Sequence, residues 1–413
     1  MSDKSLEIFE RFTAELEECT KTQTLPSSGD QDVQYYLELQ QDRLKQHGLK
    51  MEYHFVPRGH FSEDTPFQKS WSDNRLTNEM ECRSCHLIRA FFKDGKQIFK
   101  KGQNEIFYQT ITDAKTKQAV EEDDYVCPNC GAVTKVKDLE KGCSYCGTFF
   151  KMQDLFPKVT NYFLLKDDSG TEDEIKHEIG KFIIPCSVVL TICYTIYALI
   201  KGKFIISALF SGALSGVIAG CVVGYLAWVI TKLIGIFRGA GKSIGFLANA
   251  AGSEKQFLNT MKQHNQEITY EYFTDKIVSL FKMIMFSKEA QDLPNYAGAP
   301  VRKLFSDIVD TSYFGIALKH CQVKNQYIYA TVDVYTDDFY NAGKRIVKKS
   351  DQFRMKLYRR VDQSINYQFS ITKIQCKNCN TSFNAARQKN CPSCGTQYEI
   401  IDDDWIVTEI VKR

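Results

Sequence analysis

The chain has almost no net charge: 53 lysines and arginines against 50 aspartates and glutamates leave a formal +3 over 413 residues. That balance favours no partner class by itself. Residues 1–21 lack an apolar signal core and are rich in Glu. This argues against a cleaved secretory leader and against an Arg-rich mitochondrial presequence. Histidine is scarce where chemistry would need it, His320 being the one histidine in residues 267–413. A lone histidine with no assignable acidic partner is a poor start for acid–base catalysis. Charge is also missing from residues 182–200 and again from residues 204–231, the two runs being separated by Lys201-Gly202-Lys203.

An α-helix rises about 1.5 Å per residue, so each run can cross the hydrocarbon of a bilayer. The expectation is a tight transmembrane hairpin in a cell membrane, with both termini cytosolic. Lys176, Lys181, Lys232, Arg238 and Lys242 flank its outer ends, against Lys201 and Lys203 in the connection. Gly212, Gly216, Gly220 and Gly224 recur every four residues along one face of the second helix. Small residues permit close helix packing in lipid, against the first helix or against a second copy in a homo-oligomer.

Of the 15 cysteines, ten form five Cys-x-x-Cys pairs, a spacing that suits metal ligation in a reducing compartment. Cys127, Cys130, Cys143 and Cys146 form one set of four; Cys376, Cys379, Cys391 and Cys394 form another. Paired knuckles of this spacing supply four thiolates to one zinc, and an all-cysteine site leaves no position for water, so both sites are expected to be structural. Cys82 and Cys85 lack a second pair; with His54, His60 or His86 they form a possible third site. The stretch Gly235-Ile-Phe-Arg-Gly-Ala-Gly241-Lys242-Ser243 imitates a phosphate-binding loop but carries five residues, not four, before its Gly-Lys-Ser and follows no strand, so nucleotide binding is rejected.

The remaining chain reads as multidomain α+β. Residues 1–126 form an N-terminal region, helical over 5–47 and then mixed; 127–165 is a zinc ribbon; 166–181 is an acidic linker. Residues 182–231 are the hairpin, and 232–266 a Gly/Ala-rich juxtamembrane linker. Residues 267–286 have helical periodicity through Phe273, Ile277, Leu280, Phe281 and Ile284, and a short helix is expected over 301–309. Alternation over 328–334 and 353–357 predicts strands, joined by 367–375 and 405–411 with the second ribbon inserted at 376–394.

Helices followed by a sheet after a membrane anchor, ending in Trp405-Ile-Val-Thr-Glu-Ile beside a knuckle pair, resemble the Tim44-like domain of the nuclear-transport-factor-2-like superfamily, in its bacterial zinc-ribbon members. The resemblance covers residues 267–413. It implies a cone-shaped domain on a membrane-attached scaffold that binds translocase, motor or ribosome partners. The inserted ribbon and the N-terminal ribbon depart from that pattern. The same superfamily includes isomerases and dehydratases, so a small-molecule-binding or enzymatic domain is the alternative, and nucleic-acid binding through the ribbons is a third. Lys344, Arg345, Lys348, Lys349, Arg354 and Lys356 lie within thirteen residues. They form a candidate contact for anionic lipid headgroups or ribosomal RNA.

Overall fold

The computed structural model describes residues 3–58, 69–167, 172–202, 204–250, 252–261, 268–362, 370, 373–376, 378–379, 381–385, 388, 390–397 and 404–413. It is a mixed α+β structure that divides into two units: residues 1–166 with 249–413, and residues 167–248.

The first unit begins with helices α1 (Asp3–Thr22) and α2 (Gln31–Gln46). Ile8, Phe9, Phe12, Leu16 and Cys19 give α1 one buried face. Asp30 caps α2 by accepting from the Val33 N–H at 2.8 Å. Strands β1 (Leu49–Pro57), β2 (Lys69–Ser72), β3 (Leu76–Lys93) and β4 (Lys96–Ala114) follow. Short helix α3 (Lys117–Val120), strands β5 (Asp124–Val126) and β6 (Val133–Lys135), and helices α4 (Val136–Lys141) and α5 (Met152–Leu155) make the first ribbon. Strand β7 (Lys158–Lys166) closes this half.

The second unit contains helices α6 (Glu172–Ile200) and α7 (Ile205–Ala250). The expected linkers on either side are therefore largely helix. α6 reaches back to Glu172, and α7 runs through residues 232–250, where the Gly-Ala composition does not break it because no proline interrupts the backbone bonds. The phosphate-loop imitation lies within this helix.

The chain then re-enters the first unit with α8 (Ser253–Met261), α9 (Tyr270–Phe286) and α10 (Arg302–Phe305). All five residues expected to line the inner face of α9 are buried. The helix expected over 301–309 ends early, because Ile308 and Val309 open a long strand. Strands β8 (Ile308–Lys324), β9 (Tyr327–Asn341), β10 (Ile346–Arg360), β11 (Lys373–Gln375), β12 (Ser382–Asn384) and β13 (Ile406–Lys412) complete the fold. Most of the strand expected over 367–375 lies outside the described residues.

One sheet takes in both halves, in the order β1-β3-β4-β7-β8-β9-β10-β13, with β2 also on β3. Every neighbouring pair is antiparallel except β7 and β8, which meet in parallel at Leu165 and Tyr313. Residues 1–126 and 267–413, separate regions on the sequence reading, thus share one sheet and one hydrophobic core. A buried polar network ties them together. Arg89 on β3 donates to Glu105 on β4 (2.6 and 2.9 Å) and to Asp310 on β8 (2.8 Å). Tyr53 and Gln40 donate to the same Asp310 at 2.6 and 3.0 Å. Buried charges need such complete pairing to offset their lost hydration.

The halves also repeat each other. Apart from the short β2 and α10, each runs helix, helix, three strands of an antiparallel meander, a cysteine ribbon, then a further strand that pairs with the last of the three. The starts of β4 and β10, the latter with its preceding turn, share a motif: Lys96-x-Ile98-x-Lys100-Lys101 and Lys344-x-Ile346-x-Lys348-Lys349.

Candidate metal centres

Each ribbon is built from two knuckles whose backbone folds back on its first cysteine. In the first, the Cys127 N–H donates to Ala132 O (2.7 Å) and the Gly131 N–H to Cys127 O (2.9 Å). Gly131 has φ 73°, a left-handed turn that a side chain would strain. The second knuckle repeats this with Cys143, Thr148 and Gly147. In the other ribbon Cys376 donates to Thr381 O (2.9 Å) and Cys391 to Thr396 O (2.8 Å).

These turns bring the sulfurs of Cys127, Cys130, Cys143 and Cys146 within 4.8 Å of one another, and likewise those of Cys376, Cys379, Cys391 and Cys394. The closer separations are 3.7 Å for Cys127–Cys146 and 3.8 Å for Cys130–Cys143, and 3.6 Å for Cys376–Cys394 and 3.5 Å for Cys379–Cys391. A tetrahedral ion with metal–sulfur bonds of about 2.3 Å needs an edge of about 3.8 Å, so both clusters fit one. In each knuckle the first cysteine is buried and the second exposed. Burial pushes the Cys127 thiol up to about 12 and Cys391 to about 11. Hydrogen bonds from Thr148 hold Cys146 down to about 6, and those from Thr396 hold Cys394 at about 5. A bound cation would favour the thiolate at all four positions.

The outer shell repeats as well. Asn129 donates to Thr148 at 2.8 Å and Asn378 to Thr396 at 3.1 Å, and each threonine lies beside a sulfur of its cluster. The identical Cys-Gly-Thr triplets at 146–148 and 394–396 carry this signal in the sequence.

A third site finds no support among the described residues. Cys82 and Cys85 sit on β3 three residues apart, and a strand turns such positions to opposite faces. Both are buried, and burial pushes the Cys82 thiol up to about 11. His54 instead bonds Glu17 (3.1 Å) and His86 bonds Asn104 (2.7 Å). His60 lies outside the described residues.

Within the second unit, two helical segments, Lys176–Ile200 and Ile205–Thr231, are long and apolar enough to cross a membrane. The glycine row packs on α6 in antiparallel register. A Cβ added at Gly212, Gly216, Gly220 or Gly224 would strike Thr195, Thr191, Ser187 or Ile183, in that order. The row therefore serves the hairpin itself. The other faces expose large apolar side chains, such as Ile206 (84 %) and Phe210 (73 %).

The basic segment is only partly free. Arg354, one of the candidate anion contacts, forks onto Asp333 (2.7 and 2.8 Å), which β9 places directly opposite. Lys348 pairs with Asp337 at 2.6 Å, and Lys356 with Glu409 at 2.5 Å. Lys344, Arg345 and Lys349 are exposed, with Lys349 lying over the Tyr340 ring at 5.0 Å.

A cavity of about 140 Å³ opens between α2, α9, the first ribbon and strands β3, β4 and β7, with Asp30, Asp124, Asp275, Lys158, Trp71 and Tyr125 in its wall. Burial raises the carboxyls of Asp30 and Asp275, Asp30 further by the neighbouring Asp32. No histidine lines it among the described residues. Comparison of the chain with protein-family models, with curated proteins and with solved structures finds no match.

Proposed function

We propose that this chain is a membrane-anchored scaffold that carries two structural zinc ions and binds protein partners on the cytosolic side. The hairpin carries the reading: its inner face is closed by glycine packing while its outer faces present bare apolar side chains. Such a surface is unfavourable in water and at home in lipid. Two closed four-cysteine clusters add rigidity without an open ligand position, which favours a scaffold over an enzyme. The resemblance of residues 267–413 to the Tim44-like domain supports partner recruitment, with translocation machinery or ribosomes as the class to seek. The two-helix, meander and ribbon order also found in residues 3–166 supports reading the first unit as a tandem pair of such domains. On this reading both termini lie in the cytosol and only residues 201–203 reach the far side.

The test is membrane fractionation with an epitope tag at residue 1 or after Gly202. The protein should stay in the pellet through alkaline carbonate, and the two tags should be accessible from opposite sides. Recovery in the soluble fraction would end the scaffold reading. Mass spectrometry of proteins co-purified in mild detergent then identifies partners.

A second reading, small-molecule binding, is favoured by the carboxylate-lined cavity. Native mass spectrometry of the purified protein should then show a co-purifying molecule that the Asp275→Asn variant loses.

A further inference from the structure

Two β-hairpins, one from each half, meet at their tips. Lys93, at the end of β3, donates to Gly343 O in the β9–β10 turn (3.0 Å). Lys348 on β10 bonds Gln103 on β4. Beneath them Phe91, Phe99 and Phe339 pack as a trio with ring centroids 5.9–6.0 Å apart. The juxtaposition is thus fixed by packing, hydrogen bonds and sheet pairing together.

That contact unites two sets of cations that the sequence holds some 240 residues apart. The first hairpin presents Lys96, Lys100 and Lys101; the second presents Lys344, Arg345 and Lys349; all six are exposed. None of the six forms an ion pair among the described residues. Asp94 and Asp307 are exposed acids of the same region. The paired members, Lys348 with Asp337 and Arg354 with Asp333, belong to the frame and leave the tips positive.

We propose that the joined hairpin tips form one composite cationic surface for the anionic headgroups of a lipid bilayer, with the N-terminal hairpin contributing as much as the C-terminal one. Five of the six cations are lysines, flexible point charges suited to a diffuse headgroup layer, where planar arginine forks would favour ordered phosphates. Single-stranded RNA sites add exposed rings for base stacking. At these tips the nearest rings, Phe99 and Tyr340, are only partly exposed. The inference rests on the membrane reading above.

The experiment uses the full chain in nanodiscs of phosphatidylcholine and measures capture of added vesicles. Failure to enter nanodiscs would count against the anchor and is seen before any vesicle is added. Vesicles of equal parts phosphatidylcholine and phosphatidylserine should be captured, pure phosphatidylcholine vesicles should not, and added salt should release them. A cation near an anionic surface contributes about fivefold in affinity, so Lys96→Glu/Lys100→Glu/Lys101→Glu should lose at least about a hundredfold. Lys344→Glu/Arg345→Glu/Lys349→Glu should lose as much, both variants retaining two zinc ions. Unchanged capture by the first triple variant overturns the proposal, as does equal capture of phosphatidylcholine vesicles. Tight binding of polyuridylate without vesicle capture overturns it in favour of RNA.

Discussion

The ribbon of residues 124–150 stands on a small core of its own: Leu76, Val120, Val136, Leu139, Leu155 and Phe156 pack around Cys127 and Cys143. Among the described residues, the ribbon between β10 and β13 gathers only Phe383 and Ala385 around Cys376 and Cys391. The sulfur geometry is nearly the same in both, so the expected difference is how much of each ribbon survives without metal. A structural zinc contributes about 10–16 kcal/mol in comparably small units. The second ribbon has little else to hold it, whereas α4 anchors the first through buried Val136 and Leu139.

The largest expected effect follows from that contrast. Purified protein should carry two zinc ions by elemental analysis, and Cys127→Ser or Cys391→Ser should each remove one. Under a chelator, proteolysis should cut within residues 373–397 before it cuts within 124–150. Equal cleavage of the two ribbons would break the comparison, and protein that is folded but metal-free would remove the zinc assignment.

A second contrast sets the network that joins the halves against a pair within one half. Arg89 is 1 % exposed and holds two buried carboxylates, Glu105 and Asp310. Arg89→Met would take the shared cation from both, leaving two buried carboxylates with neutral donors only, and should cost about 3–5 kcal/mol. Arg354 is 25 % exposed and pairs with one buried carboxylate, not two, so Arg354→Met should cost clearly less. Urea unfolding in detergent measures both. Equal losses would mean that the network does not join the halves in any energetic sense.

What the sequence disclosed and what it hid divide along the range of the interaction. Cysteine spacing, the uncharged runs and the alternation at 328–334 are local, and each gave its element. Alternation over 353–357 sets Arg354 off the face of Phe353 and Met355, but it is silent about what the next strand carries, and β9 carries Asp333 there. Arg89 and Asp310 lie 221 residues apart, so no window contains them both. The repeated Lys-x-Ile-x-Lys-Lys motif and the paired Cys-Gly-Thr triplets were legible all along. They show that the chain contains one pattern twice, its first copy lying outside residues 267–413. The partner of the glycine row was not legible, because a small-residue face has the same pattern whichever helix it meets.

The hairpin offers a contrast between its two faces. Gly216→Leu would drive a side chain into Thr191 and should destabilise the helix pair by about 1–3 kcal/mol. Val217→Leu, on the 50 % exposed side, should change little. Detergent-denaturation curves followed by circular dichroism separate them. If the two variants behave alike, the glycine row does not close the hairpin.

The smallest effect concerns a lysine from one half buried in the other. Lys282 projects from α9, donates to the Tyr162 carbonyl on β7 at 2.5 Å, and lies over the rings of Tyr36 and Tyr162 at 4.6 and 4.2 Å. Burial lowers its pKa to about 7, against the upward pull of Asp275 and Asp30. The unfolded chain titrates near the ordinary lysine value, about 10.4. Between those two values the unfolded state holds a proton that the folded state has released, so stability must rise with pH across this window. Below pH 7 both states are protonated and the gain is gone. The slope approaches about 1.4 kcal/mol per pH unit in mid-window. Comparing urea midpoints at pH 8 and pH 9, the native chain should gain about 1 kcal/mol over a Lys282→Met variant, whose buried thioether does not titrate. Parallel pH profiles for the two proteins would mean that Lys282 stays charged where the halves meet, its ammonium held by the tyrosine faces, the Tyr162 carbonyl and the field of Asp275.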